Sequence, residues 1–338
     1  MSEFTSTRPE TIRWLRLRAG ALRSLTIALR WLSVLVPVFF AATFFTFLLS
    51  VISGIDPVFV VLGENPSADA VAELTTKWGL DQPFFTQYWE WLSGIFTGDF
   101  GYSWVSQALI GDVLLRRALI SLQIAAVALL IGVVVGVALG VLAVRYHGSW
   151  LDRAVTLFTT VMSVLPAFIM GIALILVFAV ALPVLPSAGY SSPNQGFWPW
   201  FSHIVLPATA LSLDLIADVA RQLRTSILGT REENYLLGAR LNGYSGTRQL
   251  WAYSIRNGVG PAITLIGVKL PSLIGGAVIT ETIFGIPGLG MYAADSALAG
   301  DVPAVQGVLV ICIVAVVGFN FLVNSLLNVL APAGQRGA

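Results

Sequence analysis

Three charged residues stand inside long apolar stretches of the sequence: Asp214, Asp218 and Lys269. A charge at bilayer depth costs about 2.5–3.5 kcal/mol, so it usually faces a cavity or an opposite charge. Asp214 and Lys269 lie in two different predicted membrane spans, each about eight residues from the cytoplasmic end of its span. Because a helix rises about 1.5 Å per residue, the two side chains have matching depths in the membrane. We expect Asp214 and Lys269 to approach each other or to share one hydrated cavity. Three roles stay open: a structural ion pair, contact with the charged end of a solute, or simple exposure to water.

Other groupings that could do chemistry are missing from the sequence. His147 and His203 fall on opposite sides of the predicted membrane, and no cluster of His or Cys suggests a metal site. Cys312 is the only cysteine, which excludes an intramolecular disulfide. Neither a pairing of nucleophile and base nor a phosphate-binding G-x-x-x-x-G-K-[ST] pattern is found. We predict no metal site, no catalytic residue and no enzyme activity in this chain.

The composition indicates the elements that must position the three charges. The chain has 338 residues, of which 56% are hydrophobic and 11% charged, whereas a soluble domain carries about 25% charged residues. These values exclude a soluble domain and also disorder, which needs low hydrophobicity and high charge. The formal net charge of +1 gives no support for binding nucleic acid. We therefore predict an all-α protein embedded in membrane lipid.

Uncharged stretches define the predicted spans, because a helix needs about 20 apolar residues to cross the bilayer core. Pro183, Pro186 and the segment 191–199 break the longest uncharged stretch into two spans. Pro166 and Pro207 fall inside spans, where membrane helices tolerate them as kinks. The sequence thus predicts six transmembrane helices, at 31–53, about 118–144, 154–182, 203–222, 261–281 and 305–330.

Basic residues set the predicted orientation. Fifteen of the 19 Lys and Arg residues fall on one side of such a six-span arrangement, which the positive-inside rule makes cytoplasmic. The loop 54–117 has eight acidic and three basic residues and is therefore placed outside. This orientation makes the basic segment 1–30 and the tail 331–338 cytoplasmic, and it makes 118–330 a core of five spans.

The loop 54–117 is too long for a simple connector and predicts a helix of its own. Asp81 is a candidate cap for this helix, with Pro83 in the first turn. Apolar residues then recur at roughly helical spacing: Phe84, Phe85, Tyr88, Trp91, Leu92 and Ile95. We expect an aromatic amphipathic helix at the outer membrane interface, with contact to an external partner or ligand as the alternative.

Glycines recur at a regular spacing in the second span. Gly132, Gly136 and Gly140 repeat every fourth residue, which predicts close helix packing, with a substrate-lining role as the alternative.

The cytoplasmic loop 223–259 is predicted to be structured, with a short helix, a sharp turn at Gly243, and a second helix capped by Thr247. Such a structured loop docks a partner or is an inert amphipathic connector.

This loop resembles a known family. Its pattern Tyr235-x-x-x-Ala239-Arg240-x-x-Gly243 is similar to the "EAA" coupling loop of ABC-importer permeases, in the version of the B-type subunit of dipeptide, oligopeptide and nickel importers. Two more regions resemble that subunit, over about 31–330 in all. They are the outer-loop motifs Trp78-Gly-Leu-Asp-Gln-Pro-Phe and Gly98-Asp-Phe-Gly-Tyr-Ser103, and the C-terminal motifs Gly275-Gly276, Glu281-Thr-Ile-Phe-Gly-Ile-Pro-Gly-Leu-Gly290 and Asp301-x-Pro303-x-x-Gln306-Gly307.

The resemblance implies the type I ABC importer permease fold and a place in the bacterial cytoplasmic membrane. It implies a second homologous permease, two ATPase domains or subunits that bind ATP and Mg, and an extracytoplasmic solute-binding protein. The chain itself would bind no cofactor. Four residues would form the ATPase contact: Tyr235, Ala239, Arg240 and Gly243. In this contact Ala239 would permit close docking and Gly243 would set the turn. Arg240 would pair with a carboxylate of the ATPase or cap a carbonyl.

The resemblance also singles out a glycine-rich turn after the fifth span. Its residues are expected to form part of the outer gate or of the surface that meets the binding protein, with a rigid turn as the equal alternative: Glu281, Phe284, Pro287, Gly288 and Gly290. The expected solutes are di- and oligopeptides, with nickel, glutathione or another small solute as alternatives. A stand-alone secondary transporter is the competing class, and it predicts inverted repeats and broken helices at the midplane.

Overall fold

The computed structural model describes residue 33 and residues 35–63, 65–230, 238, 241–255 and 258–330. The chain divides into two units, residues 1–53 and 54–338. The first unit contains one membrane-length helix, α1 (Leu35–Ile52). All regular elements of the described residues are helices, and β-pairing there is limited to one isolated bridge between Tyr102 and Leu109. The prediction of an all-α protein is confirmed.

The second unit contains the remaining elements. Three short helices come first, then long apolar ones. In chain order they are α2 (Pro57–Leu62), α3 (Ala68–Lys77), α4 (Phe84–Thr97), α5 (Ile110–Arg145), α6 (Trp150–Val164), α7 (Ala167–Ile175, continued by a π-helix over Leu176–Ala181), α8 (Phe197–Gly229), α9 (Gly246–Gln249, continued by a π-helix over Leu250–Ile255), α10 (Gly260–Ile283), α11 (Leu289–Leu298) and α12 (Val302–Leu330). A 3₁₀ turn over Pro193–Gln195 precedes α8.

Membrane-length helices number four to six in the described part of the chain. Helices α1, α5, α8 and α12 are each long and apolar enough to cross. Two more candidates are bent, α6 with α7 by 106° and α10 by 52°. The predicted six spans are thus reached when each bent pair counts as one span. The bend in α10 coincides with Pro271 and the pair Gly275-Gly276, since proline removes a backbone hydrogen bond.

The break between α6 and α7 is sharper than the predicted kink at Pro166. Leu165 has an extended backbone (φ −78°, ψ 123°), because a residue that precedes proline is forced out of the helical region. The span predicted over 154–182 therefore consists of two helices that meet at a break, in place of one helix with a kink. Pro207, by contrast, lies inside an unbroken α8.

Helices α5 and α8 are longer than predicted, at 36 and 33 residues. Residues 110–117 of the predicted outer loop form the first turns of α5. Charged residues marked the limits of the apolar sequence, but backbone hydrogen bonding continues past them. Helix length was therefore underestimated at these ends.

The core of the second unit is the contact between α5 and α8. A Cβ atom at Gly132, Gly136 or Gly140 would lie within 3.0 Å of atoms of α8, namely Leu215 Cδ2, Val219 Cβ and the Ala220 carbonyl oxygen. The three glycines therefore let the two helices approach closely, which is the packing role that their spacing predicts.

Helix α4 differs in two ways from the expected interfacial helix. Its N-cap is Pro83 without a side-chain hydrogen bond, so Asp81 does not cap it. Tyr88 and Leu92 are buried in the protein, while three other aromatic side chains are exposed: Phe85, Trp89 and Phe96. The helix is thus apolar on two faces, one packed and one open, instead of on a single face.

Candidate functional site

The structure brings the three intramembrane charges together. Asp214 and Asp218 lie one turn apart on α8 and face Lys269 on α10. The Lys269 ammonium donates to Asp214 Oδ2 at 2.7 Å and contacts Asp218 Oδ2 at 2.5 Å. Matching depth on two facing helices therefore produced direct contact, as the sequence predicts.

A fourth charge completes what we call the charged cluster: Asp214, Asp218, Arg221 and Lys269. Arg221 pairs with Asp218 one turn along α8, and its Nη1 donates to Ser163 Oγ at 3.1 Å. Two carboxylates and two cations give the cluster no net charge. In the sequence, Arg221 indicated only the orientation of the spans, although its three-residue spacing from Asp218 is a known helical ion-pair pattern.

The charged cluster borders a cavity of about 290 Å³ at the break between α6 and α7. Residues 163–167 of the break form one wall, and the others come from α8 and α10: Leu211, Asp214, Leu215, Lys269, Ser272, Leu273 and Gly276. The Asp214 side chain is 52% exposed and that of Asp218 is 18% exposed. Of the two carboxylates, Asp214 is the more exposed.

Glu281 lies at the opposite end of α10 and is fully buried. Ser121 Oγ donates to its Oε1 at 2.5 Å, while the Gly290 and Met291 amides donate to Oε2 at 2.7 and 3.1 Å. These amides belong to the first turn of α11, where a helix favours negative charge. Glu281 thus joins α5, α10 and the start of α11.

The turn that follows Glu281 is equally tight. Phe284, Gly288 and Gly290 are buried, and Pro287 is half-buried. A Cβ atom at Gly288 would lie 2.2 Å from the Glu281 carboxyl carbon, and one at Gly290 would lie 2.3 Å from Val278 Cα. This geometry fits the rigid-turn alternative better than a surface that these side chains would present to a binding protein.

A second buried carboxylate, Asp301, supports the same region. It accepts hydrogen bonds from Ser103 Oγ at 2.5 Å and from the Trp104 amide at 3.2 Å. Nearby, the Arg117 guanidinium lies 4.7 Å from the centroid of the Tyr292 ring. Burial, with the negative charge of Asp301, raises the pKa of the Tyr292 phenol.

A third buried carboxylate lies where α6 begins. The Asp152 carboxylate accepts hydrogen bonds from Nε and Nη2 of Arg224, at 2.7 and 2.9 Å. It also accepts one from the Gly148 amide at 3.0 Å. His147 Nδ1 is 3.0 Å from the same carboxylate. The Asp152–Arg224 pair was not predicted, since the local sequence shows only the Ser149-x-x-Asp152 capping pattern. Within the described residues no three metal-binding side chains come together.

The predicted coupling residues are only partly visible. Tyr235, Ala239 and Arg240 lie outside the described residues, whereas Gly243 has a left-handed backbone (φ +74°), as its predicted turn requires. Thr247 is not the cap of the next helix, because α9 begins at Gly246 and Ser245 Oγ accepts the Arg248 amide at 3.4 Å. Arg248 stacks 4.2 Å from the centroid of the Tyr244 ring.

Comparison with protein families gives two matches. Residues 128–334 match the family described as "Binding-protein-dependent transport system inner membrane component". Residues 24–125 match its N-terminal companion, "Binding-prot-dependent transport system membrane comp, N-term". Together they cover the charged cluster, the glycine-rich turn and both long helices of the core.

Relatives are similar over most of their length. A "Probable peptide ABC transporter permease protein" of Sinorhizobium fredii is 34% identical over 288 residues, which are 85% of this chain and 92% of that protein. A "Glutathione transport system permease protein" of Escherichia coli strain K12 is 30% identical over 300 residues, which are 88% of this chain and 95% of that protein.

A solved structure has a similar fold. A chain of the inward-facing MetNI methionine ABC transporter superposes with a TM-score of 0.54 at 18% identity, covering 65% of this chain and 97% of that one. At this identity the likeness concerns the fold alone, and it agrees with the expected type I permease fold.

Proposed function

The chain belongs to the family of binding-protein-dependent transport system inner membrane components, a family of multi-pass membrane permease subunits, and we propose that it serves an ABC importer for short peptides. The observation that carries the proposal is the similarity to the S. fredii peptide permease over 92% of that protein. The glutathione permease supports the same class of solute, because glutathione is itself a tripeptide.

The proposed assembly has four other members or domains. A second homologous permease encloses the pathway with this chain, two ATPases bind ATP and Mg on the cytoplasmic side, and a binding protein delivers the solute from outside. Fifteen of 19 basic residues on one side support cytoplasmic termini in a bacterial cytoplasmic membrane. The catalytic chemistry belongs to the ATPases in this proposal.

The connectivity suggests how ATPase motion reaches the pathway. The proposed coupling loop, with Tyr235, Ala239, Arg240 and Gly243, connects α8 to α10 and contains α9. Ile227 and Ala262 pack together where these helices meet the loop, and Gly258 lies against the Ile227 backbone. A pull on the loop therefore acts on the two helices that carry the charged cluster.

The competing class, a stand-alone secondary transporter, predicts broken helices at the midplane. The 106° break between α6 and α7 is one such feature. This break does not favour a secondary transporter, however, because both family matches and the near full-length relatives place the chain among binding-protein-dependent permeases.

Reconstitution tests the proposal. The chain is purified with its co-purifying subunits, placed in proteoliposomes, and assayed for uptake of a radiolabelled dipeptide with and without ATP and the binding protein. We expect uptake that requires both. Uptake driven by an ion gradient without ATP would replace the proposal by the secondary transporter, and ATP-dependent uptake of nickel but not of any peptide would replace the solute class.

A further inference from the structure

Asp214 differs from the other members of the charged cluster in its surroundings. Asp218 has two cationic partners, Lys269 and Arg221, and is mostly buried. Asp214 has one cationic contact, the 2.7 Å bond to Lys269, and half of its side chain is exposed. A carboxylate offers about four acceptor positions. Asp214 therefore keeps free acceptor capacity while it holds Lys269.

The free side of Asp214 faces the cavity at the break between α6 and α7. Leu211, Leu215 and Leu273 give this cavity apolar walls, and Ser272 adds a hydroxyl group beside Lys269. Its volume of about 290 Å³ is close to the lower limit of ligand pockets, which is about 300 Å³. The space is enough for one end of a small solute and too small for a whole oligopeptide.

Charge and depth determine the kind of group that fits. An exposed carboxylate in a membrane span needs water or a cation beside it. Lys269 cannot neutralise Asp214 fully, because its ammonium is shared with Asp218 at 2.5 Å. The charged cluster is neutral as a whole, so a further cation at the open side of Asp214 would be held by the acceptor positions that Lys269 leaves free, and an ammonium group donates up to three hydrogen bonds.

From this geometry we propose that Asp214 is a solute-contact residue of the translocation pathway and binds the ammonium group of the passing solute. The inference rests on the proposed function and deepens it, since a free peptide carries such a group at its N-terminus. Asp218 and Arg221 then hold Lys269 and the α6 break in place without touching the solute, as the Arg221–Ser163 bond indicates.

The first test compares uptake by the complete importer in proteoliposomes. Asp214→Asn should lower dipeptide uptake at least tenfold, because it removes the charge yet keeps an acceptor for Lys269. Asp214→Glu should stay within threefold of the unmodified complex. Asp69→Asn is the matched control, because it removes a carboxylate that is exposed on α3, far from this cavity in sequence and outside the charged cluster.

The second test measures whether dipeptide blocks access of a thiol reagent to the cavity. Ser272→Cys, in a complex whose Cys312 is replaced by alanine, places one thiol on the cavity wall for alkylation by a water-soluble maleimide. During turnover, dipeptide should slow alkylation at least threefold with Asp214 present and not with Asp214→Asn. If Asp214→Asn assembles poorly, the complex with Asp214 still tests the proposal, since a lack of protection there contradicts it.

The outcomes separate the two proposals. Full uptake by Asp214→Asn, or equal protection with and without the carboxylate, overturns the role of Asp214 and leaves the importer intact. Absence of ATP-dependent peptide uptake by the unmodified complex overturns the proposed function instead.

Discussion

At the scale of single residues, Glu281 anchors the start of α11 through its buried carboxylate. Replacing it by alanine leaves the Gly290 and Met291 amides without their acceptor. An unsatisfied buried group costs about 1–3 kcal/mol, so we expect Glu281→Ala to destabilise the protein by about 3 kcal/mol and to lower its unfolding temperature in detergent.

Glu281→Gln is the matched control, because the amide keeps an acceptor oxygen at nearly the same position. It should lose less than half as much stability as Glu281→Ala. Equal losses for the two variants would show that the hydrogen bonds to α11 contribute little, and that side-chain volume alone stabilises the turn.

Gly243 allows a second prediction at this scale, about coupling. Its left-handed backbone costs an L-residue about 1–2 kcal/mol, and a β-branched side chain fits it worst. Gly243→Val should therefore reduce ATPase stimulation by the binding protein at least tenfold in the reconstituted importer, while the amount of protein in the membrane stays the same.

Gly246→Val is the comparison variant for Gly243, because Gly246 lies in the same loop with open space at its Cβ position and no left-handed backbone. It should keep nearly full stimulation. Normal stimulation of Gly243→Val would remove the turn from the coupling mechanism.

At the scale of elements, the contact between α5 and α8 depends on the absence of side chains at three glycines. Gly136→Val would push a β-branched side chain into Val219 and the Ile216 carbonyl oxygen. Overpacking typically costs about 1–3 kcal/mol, so the folded fraction in fluorescence-detected size-exclusion chromatography should fall severalfold. Gly318→Val, at an open position of α12, should leave the chromatogram unchanged, and a similar fall for both variants would contradict this packing role.

The pair Asp152–Arg224 joins α6 to α8 and provides another prediction at this scale. Asp152→Ala leaves a largely buried guanidinium without its carboxylate, a loss that reaches about 3–5 kcal/mol for fully buried pairs. Because Arg224 is partly exposed, we expect about 2 kcal/mol, measured as a lower unfolding temperature. The double variant Asp152→Ala with Arg224→Met should recover part of the loss. Additive losses would show that the two side chains are not coupled.

Sequence patterns predicted these elements to different extents. The glycine spacing on α5 and the matching depths of Asp214 and Lys269 were readable, because both follow from helical periodicity. Asp152 and Arg224 are 72 positions apart in the sequence, and no local sequence pattern predicts a contact over such a separation. The break at Pro166 was located but not its size, since proline permits both a kink and a full break.

At the scale of the whole molecule, the distribution of basic residues predicts which side each loop faces. In a chain whose Cys312 is replaced by alanine, Ser93→Cys on α4 should react with a membrane-impermeant maleimide in intact cells. Arg153→Cys on α6 should react only after permeabilisation, because both positions are exposed but lie on opposite predicted sides. Labelling of Arg153→Cys in intact cells would reverse the orientation.

The helical class was predictable from hydropathy at this scale, and the four to six membrane-length helices of the described residues are compatible with the predicted six spans. The resemblance supplied the permease fold. The role of the turn after Glu281 was not predictable, because its motif is equally suited to a contact surface and to a buried anchor. Only the burial of Glu281, Phe284 and Gly288 separates the two.

The length of α5 has a mechanical consequence. Its 36 residues extend about 54 Å at 1.5 Å per residue, more than the 40–45 Å of a bilayer with its headgroups. Helix α8 is nearly as long, and both are locked side by side through glycine contacts. The pair is therefore long enough to cross the bilayer with turns to spare, so we expect a tilt imposed at one end of the pair to be transmitted to the other end.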